Sequence, residues 1–175
     1  MRYAAPTGTA AFNLRFNATT IHRLIHWTNL RHFGDITNDV VLQRLQEHLQ
    51  HTTLIFLDEV SMIGGRMMGR IDARFKQGKP ASHEDRDLLG NLSCVAIGDH
   101  AQCEAMADEQ FYDPHPRSDS GDACNPAAAR LSNAGLSVYN TFDEVVLLTN
   151  VHQQSKFVTP TTPQEHAYNE RSNIF

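Results

Sequence analysis

The sequence is short of cysteine. Cys94, Cys103 and Cys124 are an odd number without C-x-x-C spacing. That argues against a disulfide scaffold or a zinc ribbon and makes a reducing intracellular compartment the expectation. No apolar run approaches the roughly 20 residues that cross a bilayer, and the opening MRYAAPTGTAAF holds no signal-peptide core. Charge of one sign is lacking as well. A net charge of -5 with 20% charged residues is too mild for a disordered acidic tail. It also excludes nucleic-acid binding by bulk positive charge, though not by a local groove. Repeats and low-complexity tracts are missing. What is present, 175 residues of which 41% are hydrophobic, has the size and balance of one globular domain.

Three continuous apolar runs read as strands: Leu54–Leu57 before Asp58-Glu59, Cys94–Ile97 before Gly98-Asp99, and Val145–Leu148 before Thr149-Asn150. Continuous rather than alternating apolarity fits strands of a parallel sheet covered on both faces. Arg2–Ala5, stopped by Pro6-Thr7-Gly8, reads as the tail of a fourth. Helical spacing fills the gaps. Asn38 caps a helix bearing Val41, Leu42, Leu45 and Leu49. Ile63, Met67, Ile71 and Phe75 repeat every four residues, in a helix that Gly64, Gly65 and Gly69 are expected to weaken by about 1 kcal/mol each. Asn125-Pro126 opens a third helix that Gly135 is expected to close. Residues 113–122 read as a surface loop, and those from Ser155 onward as an irregular end. Strands alternating with helices predict an α/β fold with right-handed crossovers. Its ligand sites are then expected at the carboxyl ends of the strands.

Chemistry concentrates there. In LIFLDEVSM a buried strand delivers two adjacent carboxylates, the Walker B arrangement, in which the first holds magnesium and the second prepares a water for attack. The plainer alternative is a strand followed by an acidic turn. GDHAQ, Gly98–Gln102, offers an acid and an amide at the same edge. APTGTAAFN, Ala5–Asn13, is a turn in which backbone N–H groups and the Thr7 hydroxyl can meet phosphate; TTIH follows at Thr19–His22. Trp27 is expected in the core, and Phe12 is a candidate for stacking on bases. His22 with His26, and His48 with His51, have chelating spacings but lack the glutamate of H-E-x-x-H. The Met67-Met68 pair reads as core filling.

In order and spacing these blocks resemble the first motor domain of superfamily 1B DNA helicases of the petite-integration-frequency (PIF) type, including Helitron helicases. APTGTAAFN with TTIHRLI is similar to motif Ia, LIFLDEVSM to motif II, VAIGDHAQ to motif III and FDEVVLLTNVHQQ to motif IV. The resemblance implies a partial RecA-like P-loop NTPase domain over residues 1–154, with helices on both faces of a parallel sheet and the P-loop strand missing. The implied activity is ATP-driven 5′-to-3′ translocation on single-stranded DNA and unwinding of duplex junctions, with ATP and Mg2+ as cofactors. No obligate protein partner and no membrane are implied. A nuclear location and roles in DNA repair, recombination and telomere maintenance come with it. Asp58 would hold magnesium and nucleotide, Glu59 would activate water, and Gln102 would sense the γ-phosphate. Pro6, Thr7, Gly8, Thr20 and His22 would contact DNA.

The departures are specific. No G-x-x-x-x-G-K-[ST] occurs in the 175 residues, so the phosphate cradle is missing. Motif III continues Gln102-Cys103-Glu104-Ala105 where the family has Gln-Leu-Pro-Pro. His152 stands where motif IV carries an arginine, and a histidine lacks that fixed charge and planar fork. Two other readings therefore stand beside the motor fragment. One is a non-catalytic, transposon-derived remnant with at most weak single-strand binding; the other is a metal-dependent hydrolase using Asp58, Glu59 and Asp99.

Overall fold

The computed structural model describes residues 1–29, 34–79, 88–115 and 126–148. His152 and the end from Ser155 lie outside the described residues, as do Cys124, Asn125 and most of the 113–122 loop. The chain divides into Met1–Phe142 and Asp143–Phe175.

Within the first unit the elements run β1 (Arg2–Ala5), α1 (Gly8–Leu14), β2 (Thr19–Thr20), α2 (Ile21–Leu24), α3 (Asp39–Leu49), β3 (Leu54–Leu57), α4 (Gly65–Gly78), β4 (Ser93–Ala96) and α5 (Pro126–Tyr139). The four strands form one all-parallel sheet in the order β2-β1-β3-β4, the α/β architecture expected from the sequence. The step from β1 to β2 goes one way across the sheet, and the later steps go the other. Right-handed crossovers then put α1 on one face and α3 and α4 together on the opposite face; α3 does pack on α4.

Register decides which side chains share a face. Ala4, Leu57 and Ala96 lie in one row and Tyr3, Phe56 and Val95 in the next. The first row joins the main core with Ile55, Leu45, Leu49, Met68, Ile71 and Phe75. A fully buried side chain of this size contributes about 1.5–3 kcal/mol. The second row is only partly covered. The Tyr3 ring stacks between Phe56, at 4.8 Å, and Phe16, at 5.4 Å.

That asymmetry corrects the expectation for β4. Its apolar run is not covered on both faces: Ser93 and Val95 are exposed, and Ile97 beyond them is too. β4 is an edge strand among the described residues. In the second unit, Val145–Leu148 form no strand and are 81–86% exposed. An apolar run becomes a strand only when a neighbour supplies backbone partners, and none is seen there among the described residues.

The helices follow their local signals more closely. Asn38 caps α3 through Oδ1, which accepts from Val41 N at 3.1 Å, and Leu45 and Leu49 are buried. In α4, Ile71 and Phe75 are core, with Ile63 just before the helix; Met68 is core and Met67 packs against it. The glycines expected to weaken this helix are its contact surface. A Cβ on Gly65 would meet Ser132 Oγ, one on Gly69 would overlap the Leu131 carbonyl, and one on Gly64 would overlap Asp108. Gly135 does not end α5, which runs on to Tyr139; it is glycine because the Gly65 carbonyl lies where its Cβ would be.

Asp108 occupies the space Gly64 leaves. Its carboxylate accepts from Arg66 N at 3.3 Å and Met67 N at 3.2 Å, and it pairs with Arg66 Nε at 3.0 Å. A residue some forty positions away thus supplies the cap that Gly64 cannot.

Candidate functional site

The ladder brings the quoted motifs to one edge. Ala5 pairs with Thr20, Ala4 with Leu57, and Leu57 with Ala96. Pro6-Thr7-Gly8, Thr20–His22, Asp58-Glu59 and Gly98–Gln102 therefore all follow carboxyl ends of aligned parallel strands.

Asp58 and Glu59 are half-buried, and their backbone is pinned on both sides. Asp58 N donates to Ala4 O at 2.9 Å, and Val60 N donates to Ile97 O at 3.0 Å. Between them Glu59 sits in the left-handed region, φ 51° and ψ 49°. A non-glycine residue there costs on the order of 1 kcal/mol, and such strain concentrates at functional positions. Gly98 closes over this turn, since a Cβ on it would stand 2.7 Å from Val60 N. Motifs II and III are thus in backbone contact, which only glycine permits.

Gln102 is exposed and tied to Asp99. Its N–H donates to Asp99 O at 3.1 Å and its Nε2 to Asp99 Oδ2 at 3.4 Å. His100 meets the Tyr112 ring edge-on at 4.5 Å, and Tyr112 and Phe111 contact Tyr139 of α5. The turn is anchored by aromatic packing. Cys94 beneath it has its thiol pushed up to about 12 by burial, so it stays protonated and unreactive; Cys103 is exposed.

At the motif Ia end, Thr7 caps α1, its Oγ1 accepting from Ala10 N at 3.2 Å. Thr20 caps α2, its Oγ1 accepting from Arg23 N at 3.3 Å. Both hydroxyls keep a proton to donate. A Cβ on Gly8 would meet nothing within 4 Å, so no packing demands glycine there. His22 is half-buried and stacks on Trp27 at 5.2 Å, while Arg70 lies 5.5 Å over the other residue's ring system, that of Trp27. Burial lowers the His22 pKa, so at neutral pH it acts as a hydrogen-bonding ring, not a cation. Trp27 is core, as expected, and Phe12 is 83% exposed.

Asp58 offers one carboxylate at the strand end. Magnesium is commonly held by one or two carboxylates plus water and substrate phosphates, so Asp58 fits the protein's share of such a site. The nucleotide's share is not provided for, because no Walker A sequence is present. Among the described residues no three His, Cys, Asp or Glu side chains are grouped closely enough to hold a metal ion. Asp58, Glu59 and Asp99 are therefore not gathered into one such group. A cavity lined by Arg66, Ala107, Asp108, Glu109, Ala128, Ala129 and Ser132 includes none of the motif residues. No described helix is long and apolar enough to cross a membrane.

No protein-family model matches the chain, and no curated protein does. Solved structures of Pif1 helicases are similar in part. Bacteroides Pif1 bound to ssDNA matches with a TM-score of 0.46 and 22% identity, over 61% of this chain and 24% of that one. The Bacteroides enzyme in complex with ADP-AlF3 and ssDNA gives 0.47 and 23%, over 62% and 24%. Pif1 helicase from Candida albicans gives 0.43 and 19%, over 61% and 24%. The chain spans about a quarter of the length of these proteins.

Proposed function

We propose that the chain is part of the first, RecA-like motor domain of a PIF-type ATP-dependent 5′-to-3′ DNA helicase. It would carry the motif Ia, II and III edge over residues 1–154. One observation carries the reading: motifs Ia, II and III, in four segments between Pro6 and Gln102, lie at the carboxyl ends of strands paired in register. Asp58 would hold magnesium and Glu59 would orient or deprotonate water, with the Glu59 turn fixed by the ladder on both sides. Gln102, tethered to Asp99, would sense the terminal phosphate. Pro6, Thr7, Gly8, Thr20 and His22 would line the path of single-stranded DNA, with Gly8 leaving room for a sugar–phosphate to approach the backbone.

Phosphoryl transfer is catalysed mainly by positioning and charge neutralisation. Without a phosphate cradle, the 175-residue chain is expected to bind labelled single-stranded DNA but release no phosphate from ATP, whatever DNA is added. His152→Arg should not restore turnover; a fused upstream strand with P-loop and a second motor domain are the minimum. DNA-stimulated phosphate release by the native chain that Glu59→Gln abolishes would overturn the partial-motor reading. The departure from motif III at Gln102-Cys103-Glu104-Ala105 favours a second reading, a non-catalytic transposon-derived remnant. It is distinguished by the coding sequence immediately upstream, which contains a strand and P-loop only if the motor is whole.

A further inference from the structure

The sheet's other notable surface is basic, although the chain carries a net charge of -5. Arg2 of β1, Arg23 of α2 and Arg44 of α3 are exposed. None of the three has a carboxylate partner among the described residues. They surround two histidines whose rings meet edge-on at 6.4 Å, His26 and His48. Arg2 Nη2 donates to the His48 carbonyl at 3.0 Å. The charges acting on the two rings are all positive: Arg44 and Arg74 on His26, and Arg2, Arg23 and His26 on His48. No acid acts on either ring. Asp35 acts on Arg70 and Arg74, and Glu47 accepts from the Gln43 amide.

Two further observations point to a ligand. His26 Nε2 is buried and has no hydrogen-bond partner among the described residues. His26 also sits in the left-handed region with φ 52°, a conformation that a non-glycine residue holds only at a cost. Exposed Arg2, Arg23 and Arg44, from three elements, thus carry positive charge around the two rings and have no carboxylate ion-pair partner among the described residues.

We propose that Arg2, Arg23 and Arg44, around His26 and His48, form a second site for phosphates of single-stranded DNA. The inference rests on the DNA reading of motif Ia, whose Thr20 and His22 adjoin Arg23 in α2 and its cap. Thr20 and His22 belong to α2 and its cap, the next residue is Arg23, and the helix runs directly into His26. Three exposed guanidiniums from three separate elements suit a ligand with successive phosphates better than a single small anion. Buried Arg74 adds field without contact.

Fluorescence anisotropy with a labelled oligothymidylate tests it across a salt series, using the native chain, Arg23→Gln with Arg44→Gln, and His22→Ala. Both arginines are exposed, so the double variant is expected to stay folded. It should bind about tenfold more weakly at low salt, and the slope of log affinity against log salt should flatten by roughly 1.4 units for two lost contacts. The His26 and His48 ring resonances should shift on adding oligothymidylate, and their titration midpoints should rise. If the double variant keeps native affinity and slope while His22→Ala weakens binding, the patch is refuted and the motif Ia reading survives. If both histidines respond but His22→Ala changes nothing, the patch holds and the motif Ia reading fails. A native chain that binds no oligothymidylate, or binds only vesicles containing anionic lipid, overturns the proposal.

Discussion

Two groups of glycines serve opposite ends in this protein. Where α4 crosses α5, a Cβ on Gly69 or Gly135 would overlap a backbone carbonyl of the neighbouring helix. At the start of α1, a Cβ on Gly8 would stand in open space. The first group is required by packing alone. At Gly8 the fold imposes no such requirement, and the residue lies in the proposed DNA path. Occupied space around a glycine explains a helix crossing, and empty space leaves the position free of any packing demand. The same contrast separates the well-partnered turn at Asp108 from the strained turn at Glu59.

Gly69→Val should produce the largest effect. The helices must separate to admit the side chain, and overpacking of this kind costs on the order of 3 kcal/mol, a large share of a stability of roughly 5–15 kcal/mol. Urea denaturation should show the midpoint falling with little change in slope. Gly8→Ala should leave that midpoint within about 0.5 kcal/mol of native while weakening oligonucleotide binding. Equal losses of stability at both positions would erase the distinction between the two groups.

Glu59→Gly should have a smaller and opposite effect. It relieves a left-handed φ at the cost of added chain entropy, so the net gain is expected to be about 0.5–1 kcal/mol. A thermal or urea midpoint that falls instead would show that the Glu59 side chain holds its own turn, removing the argument that strain there is functional.

Acid should bring the smallest change. Burial, with positive neighbours for two of them, lowers the pKa of His22, His26 and His48 from 6.5. The unfolded chain then binds these protons more readily than the folded one. Their contribution is fully present above pH 6.5 and declines as the pH falls through the folded values. The triple replacement by glutamine should flatten that part of the pH–stability profile between pH 7 and 5. An unchanged profile would mean that the three rings titrate alike in both states.

The sequence by itself marked several strand ends and helix starts. Asn38 capping α3, Pro126 opening α5, and Asp58-Glu59 leaving β3 are local signals, governed by residues a few positions apart. It also marked the edge motifs, because each is a strand followed at once by its polar turn. Other features were decided only in three dimensions. Val145–Leu148 and Cys94–Ile97 look alike as runs, yet the second enters a strand paired with Leu54–Leu57 while the first forms no strand. Gly64 and Gly69 look like helix weaknesses until Asp108 and Leu131 arrive from distant segments. Arg2, Arg23, Arg44 and Arg74 are spread over more than seventy residues with no pattern among them. Their convergence on His26 and His48 follows from the parallel crossovers that fold β1, α2, α3 and α4 together. Periodicity and capping act over a turn of chain, whereas close approach and charge clustering act through space, and only the folded backbone brings those residues together.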